Sequence, residues 1–238
     1  MPIITRSKEA RVYFKAGKNR DGYFTFEDLL HQVNNAIDIF EQRFPGTRAV
    51  FAFDNAPTHQ KRAADALSAR HMPKGPGWNS KMAPKRMRPG RLPSGEQQEL
   101  YFPSDHPKYA NMFKGMAQIL SERGYNVLNL RAECKGFKCR DLLNNCCCRN
   151  ILFHQPDFKD QKPALIEHIE QRGHIALFYP KFHCELNFIE QCWGYAKYRY
   201  RMLPRPLNEG EMQRNVKATL DDIPLQTIQK YVYKSYNY

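Results

Sequence analysis

Apolar residues recur along this chain with two different periods, and their alternation predicts an α/β fold. Between Phe26 and Phe44, the residues Leu29, Leu30, Val33, Ile37 and Phe40 return at helical intervals, and Pro45-Gly46 ends the helix. Residues 11–14, RVYF, read as a short strand. Ala49 to Phe53 is a continuous apolar run of strand length that ends at Asp54-Asn55, the pattern of a buried strand with polar groups at its carboxyl edge. In layered α/β folds that edge is where ligands bind. Helices are predicted over 58–71 and 105–123, the second closed by Gly124, with a strand over Tyr125 to Leu130. A helix from Pro163 to Gln171 leads through Gly173 to a second apolar run, Ile175 to Tyr179, which Pro180 ends. Leu186, Ile189, Trp193 and Ala196 share one face of a helix ending near Arg201, and helices over 208–220 and 224–234 finish the chain.

The texture breaks between Met72 and Pro103, which hold six prolines and four glycines and read as an irregular, exposed insertion. The 238 residues are enough for one good-sized domain with insertions, divided by composition into 1–71, 72–172 and 173–238. No run reaches the roughly 18–20 apolar residues of a bilayer span, and the start lacks the apolar core of a secretion signal. The expectation is therefore a soluble intracellular protein that is not secreted and has no membrane partner.

Charge then narrows the partner. The formal net charge is +13, and residues 61–100 hold nine Lys or Arg against three acids. That points to a polyanion, with Lys81, Lys85, Arg86, Arg88 and Arg91 as the footprint for a phosphate backbone and a solvated loop as the alternative. Of seven cysteines, five fall between Cys134 and Cys148, which argues for a reducing compartment and either metal ligation or ordinary thiols. Cys134, Cys139, Cys146, Cys148 and His154 are candidate Zn²⁺ ligands, flanked by Lys135, Lys138, Arg140 and Arg149; His183, Cys184 and Cys192 read first as core or motif-helix positions, with remote ligation as the alternative. Asp54 and Glu190, carried to neighbouring strand ends, can hold a hard divalent ion; otherwise Asp54 caps the next helix and Glu190 pairs with a nearby Lys or Arg.

Two words in the sequence resemble those of a known superfamily. Asp54-Asn55-Ala56-Pro57-Thr58-His59 is similar to the DNA-x-x-H segment around the second catalytic aspartate of mariner-like transposases. Tyr179-Pro180 with Leu186-Asn187-Phe188-Ile189-Glu190, Trp193 and Lys197 is similar to their YSPDLNPIE…W…K segment around the third acid. With GKNRDGYF (17–24), FDNAPTHQKRAADALSAR (53–70), CCCRNILFHQPDF (146–158) and FYPKFHCELNFIEQCWGYAK (178–197), the chain resembles the DDE-superfamily endonucleases of fungal transposons.

The resemblance implies a ribonuclease H-like mixed sheet flanked by helices, with residues 72–172 as a large insertion between the second and third acids. It implies carboxylates holding Mg²⁺ or Mn²⁺, with Asp54 and Glu190 as catalytic ligands and Asn55, His59 and Asn187 in support. It implies DNA as partner, with Lys197 and the basic cluster in contact with it, a nuclear location in a eukaryote, and a homodimer as one assembly. Glu185 rivals Glu190 as the third acid. The strand that carries the family's first aspartate is not found ahead of Asp54: Asp21 sits in a loop-like segment, and Asp28 and Asp38 lie on the helix. The readings left open are a DDE-type endonuclease, an inactive remnant that binds nucleic acid, and a zinc-stabilised nucleic-acid-binding module.

Overall fold

A computed structural model describes residues 9–78, 86–139 and 145–237. In chain order the elements are α1 (Phe26–Arg43), β1 (Val50–Phe53), β2 (Gly90–Arg91), β3 (Gln97–Gln98), α2 (Met116–Glu122), α3 (Cys148–Phe153), α4 (Pro156–Lys159), α5 (Ala164–Gln171), β4 (Ile175–Phe178), α6 (Phe188–Arg201), α7 (Glu209–Asp221) and α8 (Leu225–Tyr236). The class is mixed α/β. Among the described residues no helix is long and apolar enough to cross a membrane. The chain divides into two compact units, one running to Lys61 and resuming at Leu165, the other Arg62–Ala164. The change of composition at Met72 lies inside the second unit, because Leu67 and Ala69 are already buried in its core.

In the first unit β1 and β4 pair in parallel, Val50 opposite Ile175 and Phe53 opposite Phe178. Among the described residues this sheet has two strands, short of the mixed sheet that the resemblance implies. Neither strand is fully buried: Val50, Ala52, Ile175 and Leu177 share an exposed face, and Phe51, Phe53, Ala176 and Phe178 on the opposite face are half-buried. α1 begins with a capping box in which Asp28 N donates to Thr25 Oγ1 and Thr25 N donates to Asp28 Oδ2 at 2.8 Å. Its apolar stripe, Phe26, Leu29, Val33 and Ile37, is buried. Arg172, just beyond α5, reaches Asp38 at 2.8 Å and Glu41 at 2.6 Å, tying the end of α5 to α1. At the other end of the unit α6 packs on α7 and α8.

The second unit is built on Leu67, Met72, Leu100, Phe113, Met116, Ile119, Leu120, Leu152 and Phe158. Gly115 permits the start of α2: at φ +86° it lies so close to Gly75 that an added Cβ would fall 2.3 Å from the Gly75 carbonyl oxygen. Predicted elements at 58–71 and 125–130 are turns and irregular chain instead, and the predicted helix over 105–123 is confined to α2.

The most buried charge of the second unit is Arg123, whose side chain is 1% exposed. Its guanidinium grips Asp157 through two parallel bonds of 2.7 and 2.8 Å, donates from Nε to Gln98 Oε1 at 2.8 Å, and lies over the Phe158 ring. Asp157 in turn accepts from the backbone N–H of Arg91 at 2.8 Å, so one ion pair joins β2, β3, α2 and α4. Removing one partner of a desolvated pair strands the other in a poor dielectric. Asp157→Ala, in a Trp193→Phe background where Trp78 alone reports, is expected to lower the unit's unfolding free energy by about 3–5 kcal/mol in a urea titration followed by tryptophan fluorescence. An unchanged midpoint would show that the pair does not hold the unit together.

Candidate functional site

The parallel pairing brings two of the expected residues to one place. Because β1 and β4 run in the same direction, their carboxyl ends share an edge, and Asp54 follows one strand as Tyr179-Pro180 follows the other. A cleft of about 480 Å³ opens there, lined by Asp54, Asn55, Tyr179, His183, Asn187 and Glu190 among others. Asp54 and Glu190 are the carboxylates among its described lining. Glu190 stands in the first turn of α6, where the helix dipole favours a negative charge. Asn55 closes the strand ends: its Nδ2 donates to the Tyr179 carbonyl at 2.5 Å and its Oδ1 accepts from Gln60 Nε2 at 3.0 Å. Asn187 precedes α6 without capping it through its side chain.

Asp54 is partly committed to its own turn. Its Oδ1 accepts from Ala56 N at 3.0 Å and faces His59 Nδ1 at 2.6 Å, while the His59 ring packs edge-on against Phe53. No helix follows; 57–60 is a turn, which brings His59 back over Asp54. Glu185 is outside the described lining of the cleft and bonds His183 Nδ1 at 2.7 Å. Ser235 on α8 fixes that segment by donating to the Glu185 carbonyl at 2.9 Å.

Of the expected nucleic-acid contacts, Lys197 belongs to the first unit and Arg86, Arg88 and Arg91 to the second. Lys197 lines a separate groove with Trp193, Tyr200 and Val216. Lys81, Lys85 and Arg140 lie outside the described residues. Arg88 Nη2 bonds Asp65 Oδ1 at 2.8 Å, and Arg86 lies over the Tyr101 ring at 4.4 Å. Arg88 holds the Asp65 carboxyl below the usual carboxylate range. Arg91, on β2, is exposed.

The cysteines form the tightest cluster of ligand groups. The sulfurs of Cys134, Cys139, Cys146 and Cys147 all lie within 4.8 Å of one another, so these four residues can hold a metal ion. Cys134 donates to Cys146 at 3.5 Å, and Asn150 Nδ2 donates to Cys146 at 3.4 Å. The turn Lys135–Phe137, with Gly136 and Phe137 both at positive φ, folds Cys139 back toward Cys134. A bridge of Arg131 with Cys147 holds the two arms together. Burial, and the hydrogen bonds that its S–H donates to the neighbouring sulfurs, push the Cys139 thiol up to about 12. Burial also pushes Cys146 up, but the hydrogen bonds it receives from the other thiols and Asn150 outweigh this and bring it below its ordinary value.

The ligand set differs from the one expected. Cys148 begins α3 and is fully buried in the apolar core, where burial raises its thiol; Cys147 takes the place expected for it. His154 stands outside the cluster, its Nδ1 bonded to the Asn150 carbonyl at 2.9 Å. Adjacent cysteines in sequence give no sign of which faces inward, so Cys147 could not be separated from its neighbours by spacing.

No protein-family model, curated protein or solved structure matches this chain.

The hydrogen bond from His183, together with the Glu185 backbone N–H, holds the Glu185 carboxyl below its ordinary value of 4.5. Because this pKa is lower folded than unfolded, its stabilisation is complete above pH 4.5 and is lost as pH falls through the folded value. An NMR titration of the Glu185 side chain is expected to move back toward 4.5 in His183→Ala; an unmoved curve would mean that the backbone bond alone sets it.

Proposed function

We propose that this chain is a nucleic-acid-binding relative of DDE-type transposon endonucleases that keeps the second and third acidic positions, Asp54 and Glu190, without a complete two-ion centre. The observation that carries this reading is their meeting in one cleft at the carboxyl edge of a parallel strand pair, in the order and settings that the two sequence words imply. The net charge of +13 supports a polyanionic partner.

The donor set does not fit the ion pair that the resemblance implies. Two Mg²⁺ or Mn²⁺ ions astride a phosphodiester need a bridging carboxylate, and the described lining offers Asp54 and Glu190, the first already accepting from Ala56 and facing His59. Strand cleavage therefore does not follow from this cleft. Incubated with supercoiled DNA in Mg²⁺ or Mn²⁺, the protein is expected to retard the plasmid at low salt and to leave it unnicked, and Asp54→Asn is expected to behave identically. Metal-dependent nicking that Asp54→Asn abolishes would overturn this.

The four-cysteine cluster favours a second component, a structural Zn²⁺. Tetrahedral ligation at Zn–S distances of about 2.3 Å sets sulfurs about 3.8 Å apart, between the 3.5 Å of Cys134 to Cys146 and the 4.0 Å of Cys139 to Cys147. A cation also resolves the crowding of thiols by deprotonating them together. The purified chain is expected to carry one zinc, detected by elemental analysis and by the thiolate charge-transfer band of its Co²⁺ form. Cys147→Ser is expected to lose the metal and Cys148→Ala to keep it. The reverse pattern would restore the set inferred from spacing, and a metal-free protein with freely titrating thiols would leave ordinary cysteines.

A further inference from the structure

We infer that the cavity beside the cysteine cluster of the second unit is a binding pocket for a nucleotide of a single-stranded nucleic acid. The cavity measures about 790 Å³, within the range of small-ligand pockets, and belongs wholly to that unit. It is distinct from the Asp54 cleft, and the inference goes beyond the proposed function by naming a second site and the chemistry it takes.

Three features point to that ligand. The first is an aromatic wall with open faces. Phe137 is 63% exposed and Phe153 54% exposed, although both line the cavity. Phe137 is presented from a positive-φ backbone, a conformation that costs energy for any residue bearing a Cβ. Its ring lies over the Arg149 guanidinium at 5.8 Å, which orients it without covering it. Bases stack on such rings whatever their sequence.

The second feature is a pair of exposed cationic donors. Arg62 and Arg70 line the same cavity, are exposed, and have no side-chain hydrogen bond or ion pair among the described residues. The third arginine, Arg149, is fully engaged: Nε bonds Glu133 at 2.8 Å, Nη2 bonds the Met72 carbonyl at 3.1 Å, and Nη1 bonds the Ala69 carbonyl. Arg149 therefore builds the wall and cancels Glu133, leaving Arg62 and Arg70 to meet phosphates.

The third feature is a directed acceptor. A carbonyl oxygen can only accept, so the bond of His154 Nδ1 to the Asn150 carbonyl puts the proton on Nδ1 and leaves Nε2 of the neutral ring with a lone pair. His154 lines the cavity, so this acceptor suits the exocyclic amino group of adenine or cytosine. Phosphate donors set at an open rim, rather than a glycine-rich cradle of backbone N–H groups, favour a continuous strand over a free mononucleotide.

The test uses the full chain and 5′-fluorescein-labelled oligo(dA)12 in fluorescence anisotropy, with AMP and ATP as competitors. Phe137→Ala is expected to weaken binding about tenfold and Phe137→Tyr to restore it. Arg62→Ala/Arg70→Ala is expected to flatten the slope of log K against log salt by about 0.7 for each lost phosphate contact. All three positions are exposed, so thermal melts of the variants are expected to match the parent. Variants that bind with unchanged affinity and slope would overturn the pocket assignment while leaving DNA binding elsewhere intact. Competition by AMP or ATP at concentrations as low as the oligonucleotide's would overturn the strand as ligand. Failure of the parent chain to bind oligo(dA)12 would overturn the inference altogether, whereas the plasmid assay with Asp54→Asn reads the acidic cleft separately.

Discussion

Two strands that run in the same direction cannot be joined by a tight turn, and the pairing of β1 with β4 imposes that condition on the first unit. The pairing register sets Phe53 beside Phe178, so the residues following each strand leave from one edge. Tyr179 N donates to the Phe53 carbonyl at 2.9 Å, and Asn55 returns a bond to Tyr179, which makes the exit of the two strands a closed polar clasp. Everything that lines the acidic cleft hangs from this clasp: Asp54 one step ahead of Asn55, and the segment from Tyr179 through Glu190 on the other side. A two-stranded ribbon is marginal by itself, so the pair depends on packing by one face and on hydrogen bonds such as that of Arg48 Nε to the Gly173 carbonyl at 3.1 Å.

The second unit solves a different problem. Its core contains many apolar side chains but little regular structure, with two-residue strands and helices of four to seven residues. Backbone groups that helices would satisfy internally must therefore find partners elsewhere. They do so through buried and half-buried side chains: Gln98 Nε2 reaches the Ile119 carbonyl, Gln161 Oε1 accepts from Leu67 N, and Arg149 takes two carbonyls at 69 and 72. Arg123 with Asp157 is the charged centre of the same arrangement. Such bonds are specific as well as strong, since a rearranged loop would leave each polar group unpaired in a dry interior.

This difference explains what was legible in the sequence. α1, α5, α6, α7, α8 and both parallel strands lie in or at the border of the first unit, and each is announced by periodicity or by an apolar run with a stop. The segment 58–71 carries helix-forming residues, yet the Asp54 turn and tertiary bonds take its backbone: Ala56 O accepts from His59 and Gln60, and Asp65 O accepts from Arg88 N. The predicted helix at 105–123 is cut back because Asn111 and Gly115 both adopt positive φ. The run 125–130 follows a helix end, where Tyr125 N bonds the Leu120 carbonyl across Gly124, and it continues as turns. At the candidate sites, strand-end acids were legible because strands have a direction. The fourth cysteine was not, because the change from extended Cys147 to helical Cys148 decides which thiol faces the cluster.

Charge is the remaining case, and counting it by segment leaves out the carboxylates that pair with it. A guanidinium that already bonds a carboxylate forms a pair of no net charge and has fewer N–H donors left for an incoming phosphate. Arg11 with Asp221, Arg88 with Asp65, Arg123 with Asp157, Arg149 with Glu133, Arg172 with Asp38 and Glu41, and Arg199 with Asp222 all stand in that condition. Sequence density counts these arginines alongside Arg62 and Arg70, whose donors stay unpaired among the described residues beside aromatic faces. The long-range attraction of a polyanion follows the net charge and acts over about 10 Å at ordinary salt. Where an anion comes to rest is set by unpaired donors, so the surface that would first meet a polyanion and the site that would hold it need not be the same stretch of chain.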